Sequence, residues 1–103
     1  MVKWTDNAIS NITDFIDSAR LDTENTAKNY MNKLVEYTDI LNTMPELGKV
    51  MENSIFKYEI RQIVYKSHKI IYHYNKKDII VLTILHSKMD LNMALKRLKR
   101  NLK

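Results

Sequence analysis

The sequence contains one proline and one glycine, Pro45 and Gly48, and its hydrophobic pattern changes where they stand. Before Pro45, apolar residues recur at the three- and four-residue spacing of amphipathic helices. After Gly48, they alternate with polar residues, as in half-buried strands. Proline disfavours helical geometry in the residue before it, so the helical part is predicted to end there. The chain is therefore predicted to form a single domain, residues 1–103, with a helical half followed by a β half.

Two helices are predicted ahead of Pro45. The first is capped by Thr5 or Asp6, and its apolar stripe consists of Ala8, Ile9, Ile12, Phe15, Ile16 and Ala19. The second is capped by Asp22 or Thr23, and its apolar face consists of Ala27, Tyr30, Met31, Leu34, Leu41 and Met44. Because the connection between them is short, the helices are predicted to pack as an antiparallel hairpin.

The second half is predicted to contain strands at residues 56–65, 68–74 and 79–85, with a possible edge strand at 2–4. The run 79–85 is apolar throughout and suits a central strand. Asp90 is placed to cap a final helix with a basic outer side. The predicted class is α+β: an N-terminal helical hairpin on a three- to four-stranded antiparallel sheet, followed by a short basic C-terminal helix. The hairpin covers one face of the sheet, and the other face is expected to stay partly open.

Charge is unevenly distributed along the chain. Residues 1–54 contain five basic and nine acidic residues, a net charge of −4, whereas residues 55–103 contain twelve basic and three acidic residues, a net charge of +9. A half this basic attracts polyanions or an acidic protein segment. The alternative is a solvated basic surface that only serves solubility.

Several function classes are excluded by what the sequence lacks. Without cysteine there is no disulfide, thiolate metal site or cysteine nucleophile. With one glycine there is no phosphate-binding loop or dinucleotide fingerprint, and no paired catalytic carboxylates are recognisable. No apolar run approaches the length of a membrane span, and no signal peptide is recognisable. We expect a cytoplasmic protein without cofactor, metal or membrane partner.

The histidines are the first candidates for chemistry. His86 follows the apolar strand and stands beside Lys88, so its imidazole is available as an acid, a base or a phosphate contact. The alternative is a histidine that only bonds the backbone at the strand end. His68 and His73 are five positions apart on one strand, so they point to opposite faces and cannot share a metal unless a bulge lies between them.

Basic residues are the second candidates. Lys57 and Arg61 are predicted to face the open side of the sheet, with Lys69 on the neighbouring strand and Lys88 after the last one. Such cations stabilise a phosphodiester transition state, or they bind a nucleic-acid backbone or an acidic peptide. Alternatively, exposed lysines and arginines discourage pairing at sheet edges. The final helix adds Lys96, Arg97, Lys99, Arg100 and Lys103.

Five segments, in this order, resemble the RelE/ParE superfamily of bacterial type II toxin–antitoxin toxins. They are Trp4-Thr5-x-x-Ala8, Met44-Pro45-Glu46-Leu47-Gly48-Lys49, Ile60-Arg61, Lys69-Ile70-Ile71-Tyr72 and Ile84-Leu85-His86-Ser87-Lys88-Met89-Asp90. The resemblance implies two helices packed on a small antiparallel sheet. It also implies a toxin that is neutralised in a hetero-oligomer by a cognate antitoxin, a largely disordered segment that folds along it.

The segments are more similar to the ParE branch, whose family target is DNA gyrase. Met89 stands near the place of an arginine that RelE-type ribosome-dependent ribonucleases use, and a thioether cannot replace it. The resemblance therefore favours gyrase inhibition by binding. The proposed contact residues are Lys57, Arg61, Lys88, Lys96, Arg97, Lys99 and Arg100. One alternative is an mRNA endoribonuclease with catalytic Arg61, Lys69, His86 and Lys88; another is a member that only binds its antitoxin or nucleic acid.

Overall fold

The computed structural model describes residues 1–18 and 24–101 of the chain. In chain order the elements are β1 (Val2–Trp4), α1 (Asp6–Asp17), α2 (Glu24–Thr38), a 3-10 turn (Asp39–Asn42), β2 (Lys49–Met51), β3 (Ile60–Tyr65), β4 (His68–Tyr74), β5 (Ile79–His86) and α3 (Leu91–Asn101). The predicted second cap, at Asp22 or Thr23, lies outside the described residues, as do Ala19 and Lys103. The α+β class is confirmed.

The sheet has the order β1-β5-β4-β3-β2, and β1 runs parallel to β5 while the other neighbours are antiparallel. The prediction of three to four antiparallel strands was therefore wrong in two respects: the sheet has five strands, and β1 is parallel to its neighbour. The edge strand at residues 2–4 and the central position of the apolar run are confirmed. Strand β2 escaped prediction because three residues are too few to show an alternating pattern.

The predicted strand 56–65 begins only at Ile60. Residues 52–59 form a loop instead, in which the Asn53 side-chain oxygen accepts hydrogen bonds from the backbone N–H groups of Ile55 and Phe56 at 3.1 and 2.7 Å. This local turn competes with strand pairing. The Phe56 and Tyr58 rings then lie against each other, 5.1 Å apart, so their alternation with charged residues imitated a strand.

The two faces of the sheet carry separate hydrophobic clusters. The hairpin face, covered by α1 and α2, buries residues such as Met31, Leu34, Ile70 and Val81. The C-terminal face, covered by α3 and the 52–59 loop, buries Ile60, Ile71, Leu82, Leu85, Leu95 and Leu98. The apolar side of α3 covers only part of this second face, since Val64 on the same face stays 50% exposed.

Local signals at the helix ends behave as expected. Thr5 is the N-cap of α1, and its hydroxyl accepts from the backbone N–H of Ala8 at 3.1 Å. Asp90 accepts from the backbone N–H of Met93 at 3.3 Å ahead of α3. Helix α2 ends at Thr38, before Pro45, and tightens into the 3-10 turn. Among the described residues, no helix is long and apolar enough to span a membrane.

Candidate functional site

Arg61 lies on the hairpin face and is bound to the chain itself. Its guanidinium donates to the carbonyl oxygens of Gly48 at 2.8 Å and of Glu46 at 3.1 Å, and it pairs with the Glu59 carboxylate at 3.0 Å. Only 16% of its side chain is exposed. A guanidinium has five donors in a fixed fork, and here two hydrogen bonds go to the loop before β2 while Nε and Nη2 are directed at the Glu59 carboxylate. Arg61 therefore acts structurally, as a clamp between β3 and the loop 45–48.

Tyr72 completes this clamp from the neighbouring strand. Its buried hydroxyl donates to the Pro45 carbonyl at 2.8 Å and accepts from the Gly48 N–H at 2.9 Å. A Cβ on Gly48 would lie 2.6 Å from that hydroxyl and 3.0 Å from the Gln62 carbonyl oxygen, so only glycine fits. Burial is the main cause that raises the Tyr72 pKa, which keeps the hydroxyl protonated as a donor. The Pro45–Gly48 segment is therefore conformationally fixed by the sheet.

Lys69 lies on the other face of the sheet from Arg61. It stands between His68 and Ile70, whose side chains are on the hairpin face, so strand alternation directs Lys69 towards the C-terminal face. Its Cα is paired with those of Val64 and Leu85. The structure thus separates two of the four residues assigned to a nuclease site.

A groove with a cavity volume of about 370 Å³ lies where α1 meets the end of β5, and His68 and His86 line it. The two imidazoles are in cross-strand contact, with ring centroids 5.5 Å apart. His68 is buried and shares a 2.7 Å hydrogen bond with the Tyr30 hydroxyl. Burial, and secondarily the charge of His86, lower the pKa of His68. His68 is therefore held neutral, while the exposed His86 is available to solvent.

His86 also begins the turn into α3. Its Nδ1 accepts from the backbone N–H of Lys88 at 3.2 Å, so His86 bonds the backbone here as an acceptor and not as a donor. Lys88 is exposed, and Met89 lines the groove with nearly half of its surface accessible. This turn carries an imidazole and, two residues later, an ammonium, but the residue after Lys88 is Met89, whose thioether cannot stabilise phosphate charge.

Helix α3 carries the densest group of cations. The inner side of α3 buries its own residues Leu95 and Leu98, and its outer side exposes Lys96, Arg97, Lys99 and Arg100. Lys57 is also exposed, in the 52–59 loop. The predicted contact residues are therefore accessible, except that Arg61 is mostly enclosed. Among the described residues, no group of three or more histidine or carboxylate side chains could hold a metal.

Three side chains in or beside the groove, those of Asn11, Phe15 and Tyr30, escaped prediction as site residues. Phe15 meets the His68 ring edge-on at 5.2 Å, and Tyr30 contacts it at 5.2 Å. Asn11 links α1 to β5, since its side-chain oxygen accepts from the Thr83 hydroxyl at 2.8 Å and the Ile84 N–H at 3.0 Å. The helical stripes identified Phe15 and Tyr30 as core residues. Their contact with a histidine depends on how the helices dock, which spacing alone does not show.

The chain is a small α+β protein: two helices pack on one face of a five-stranded sheet, and a basic helix packs on the opposite face. The fold is similar to that of a solved structure described as the chromosomal ParDE TA system from P. aeruginosa, with a TM-score of 0.69 and 18% identity over 84% of this chain and 95% of that chain. A family model described as the ParE toxin of the type II toxin–antitoxin system, parDE, matches residues 2–91. The chain therefore belongs to the ParE toxin family. No curated protein matches it.

Family membership confirms the resemblance to the RelE/ParE superfamily and its ParE branch. A type II module pairs a toxin with an antitoxin, so membership implies a cognate antitoxin as partner.

Proposed function

We propose that this toxin acts in the cytoplasm by binding and inhibiting DNA gyrase, and that its antitoxin releases this inhibition by covering the toxin. Family membership supports the proposal. The observation that carries it is the arrangement of the candidate nuclease residues. Arg61 is engaged by carbonyl oxygens and Lys69 belongs to the opposite face, so the cations do not surround one phosphate position. Transition-state stabilisation requires charges already aimed at one point.

A second candidate function, cleavage of mRNA on the ribosome, is supported by the turn after β5. There His86 is exposed on the groove and Lys88 follows two residues later. An imidazole and an ammonium at this separation in sequence suit acid–base chemistry on a phosphodiester. These two residues therefore give the sharper mutational test of nuclease activity, because Arg61→Ala would also loosen the loop 45–48.

The experiment induces the wild-type chain and the double variant His86→Ala/Lys88→Ala in cells, and measures plasmid supercoiling and transcript integrity. Gyrase inhibition predicts reduced supercoiling with the wild-type chain and intact transcripts in both cases, whereas the variant is expected to inhibit less because Lys88 is also a predicted gyrase contact. The double variant Lys33→Ala/Lys77→Ala, which removes two exposed lysines elsewhere, is the matched control. Cleaved transcripts that become intact only in the His86/Lys88 variant, with normal supercoiling, would establish the ribonuclease instead.

A further inference from the structure

Helix α3 has two chemically different sides. Its inner side buries Leu95 and Leu98 against the C-terminal face of the sheet. Its outer side exposes the four cations Lys96, Arg97, Lys99 and Arg100, and no residue from Leu91 to Asn101 is acidic. None of the four forms an ion pair with another described residue. The positive charge of this helix is therefore not neutralised within the part of the fold that the structure describes.

A groove separates α3 from the loop before β3. It has a cavity volume of about 510 Å³ and is lined by Lys96, Lys99, Arg100, Ser54 and Ile55. Three cations and a hydroxyl thus line one groove, and none of the five lining residues is acidic. We call this groove, with its three cations, the α3 basic surface.

We propose that the α3 basic surface binds the phosphate backbone of duplex DNA without reading its sequence. On a helix, Lys96 and Arg100 are four residues apart, a rise of about 6 Å. Phosphates follow one another along one strand at about 3.4 Å of axis, so this separation spans about two phosphates. Lysine and arginine that neutralise phosphates release condensed counterions, which gives affinity without base contacts.

Two other polyanionic partners fit this surface less well. Single-stranded nucleic acid is held by stacking of its bases on aromatic side chains, and α3 contains no aromatic residue. An acidic peptide that orders on binding needs apolar anchors to offset the loss of conformational entropy. Ile55 is the one large apolar side chain lining the groove. A duplex, which is already ordered and presents only its backbone, requires neither feature.

The cations of the α3 basic surface lie outside the residues that the family model matches. The match to the ParE model ends at residue 91, the first residue of α3. The proposal therefore goes beyond gyrase inhibition, because the toxin alone is inferred to contact DNA.

The test measures binding of the purified full-length chain to a fluorescein-labelled duplex of about 20 base pairs, by anisotropy between about 50 and 200 mM salt. Three phosphate contacts predict a slope of about −2.7 in a plot of log K against log salt. The variant Lys96→Gln/Lys99→Gln leaves one of these contacts, so its slope is expected near −0.9, with affinity at 100 mM salt reduced about tenfold or more. Lys33→Gln/Lys77→Gln removes the same charge from α2 and the β4–β5 turn, and is expected to keep the wild-type slope.

Circular dichroism confirms that both variants fold before binding is compared. Failure to bind the duplex at 50 mM salt overturns the proposal, as does an equal loss in both variants, which would indicate unspecific attraction by net charge. Tighter binding of a single strand or of duplex RNA overturns it too. The proposal is also overturned if polyglutamate displaces the labelled duplex as well as unlabelled DNA of equal charge does. That result would assign the surface to an acidic peptide. The binding test contains no gyrase, so a chain that does not bind DNA could still inhibit gyrase. Equally, a chain that does not inhibit gyrase could still bind DNA.

Discussion

Arg61 and Tyr72 lie on neighbouring strands, and both hold the backbone that follows the 3-10 turn. Arg61 donates to the carbonyls of Glu46 and Gly48, and the Tyr72 hydroxyl bridges Pro45 and Gly48. Buried backbone groups need partners, and this segment finds them on side chains of the sheet. The segment Met44–Lys49, one of the five that resemble the superfamily, is thus a structural joint between the helices and the sheet.

Removing the Tyr72 hydroxyl is expected to weaken this joint. Tyr72→Phe leaves the Gly48 N–H without its side-chain acceptor and the Pro45 carbonyl without its donor, which should lower the free energy of unfolding by about 1–3 kcal/mol. Urea denaturation measures the loss. Tyr74→Phe is the matched control, since the Tyr74 hydroxyl forms no hydrogen bond with the described residues and its ring stays packed. Equal losses in the two variants would show that the clamp has no energetic role.

His68 makes stability depend on pH. Burial, and then the charge of His86, lower its pKa in the folded state. The unfolded chain therefore binds more protons than the fold once the pH falls below the ordinary histidine value of about 6.5. This contribution to stability is complete above that pH and declines as the pH falls towards the lower pKa of the folded state.

The measurement compares unfolding between pH 7.5 and pH 5 in wild type, His68→Phe and His73→Phe. Phenylalanine keeps an aromatic ring at position 68 but cannot titrate, so His68→Phe should show a smaller loss of stability on acidification. His73→Phe, which removes a histidine bonded to the Glu59 carbonyl, should retain the wild-type loss. An undiminished loss in His68→Phe would mean that His68 is not the titrating group.

The elements are held together by two hydrophobic clusters on opposite faces of the sheet. The hairpin face packs α1 and α2, and the C-terminal face packs α3. Strand β5 contributes to both, because it is an interior strand covered on each side. The final helix is therefore part of the core, and deleting residues 96–103 would remove Leu98 as well as the cations. Loss of toxicity in such a deletion would not by itself identify a binding surface.

Leu98→Ala tests the packing of α3 directly. Leu98 is 2% exposed, so the substitution is expected to lower the free energy of unfolding by about 2–4 kcal/mol through lost burial and a residual cavity. Met93→Ala on the same helix, where the side chain is 62% exposed, should change it by less than about 0.5 kcal/mol. Chemical denaturation measures both. A Leu98→Ala variant as stable as Met93→Ala would show that the helix does not dock on the sheet.

Local patterns predicted the elements that depend on neighbours in sequence. The Thr5 cap, the strand 68–74 and the apolar run of β5 all follow from spacing and turn chemistry. Long-range docking was not predictable in the same way. The sequence predicted a final helix with a basic outer side. No pattern within that helix shows that its other side covers the sheet. Likewise, no local signal shows that carbonyls distant in sequence capture Arg61.

At the scale of the whole molecule, the basic residues of the described chain are spread over several surfaces, and three of them line the groove beside α3. The net positive charge of residues 55–103 was predicted to gather on an open sheet face. Instead it is divided among the hairpin face, the C-terminal face and the outside of α3. Cations scattered in this way do not converge on one reacting phosphate, but exposed ones remain available to a large partner. This arrangement favours inhibition by binding over cleavage.

The most direct measurement adds the purified full-length chain to DNA gyrase and follows the supercoiling of relaxed plasmid. Inhibition by binding predicts that supercoiled product disappears as the toxin approaches and exceeds the concentration of gyrase, and that His86→Ala inhibits equally. Undiminished supercoiling at a large molar excess of the chain, with cleavage of mRNA on ribosomes by the same preparation, would contradict the account.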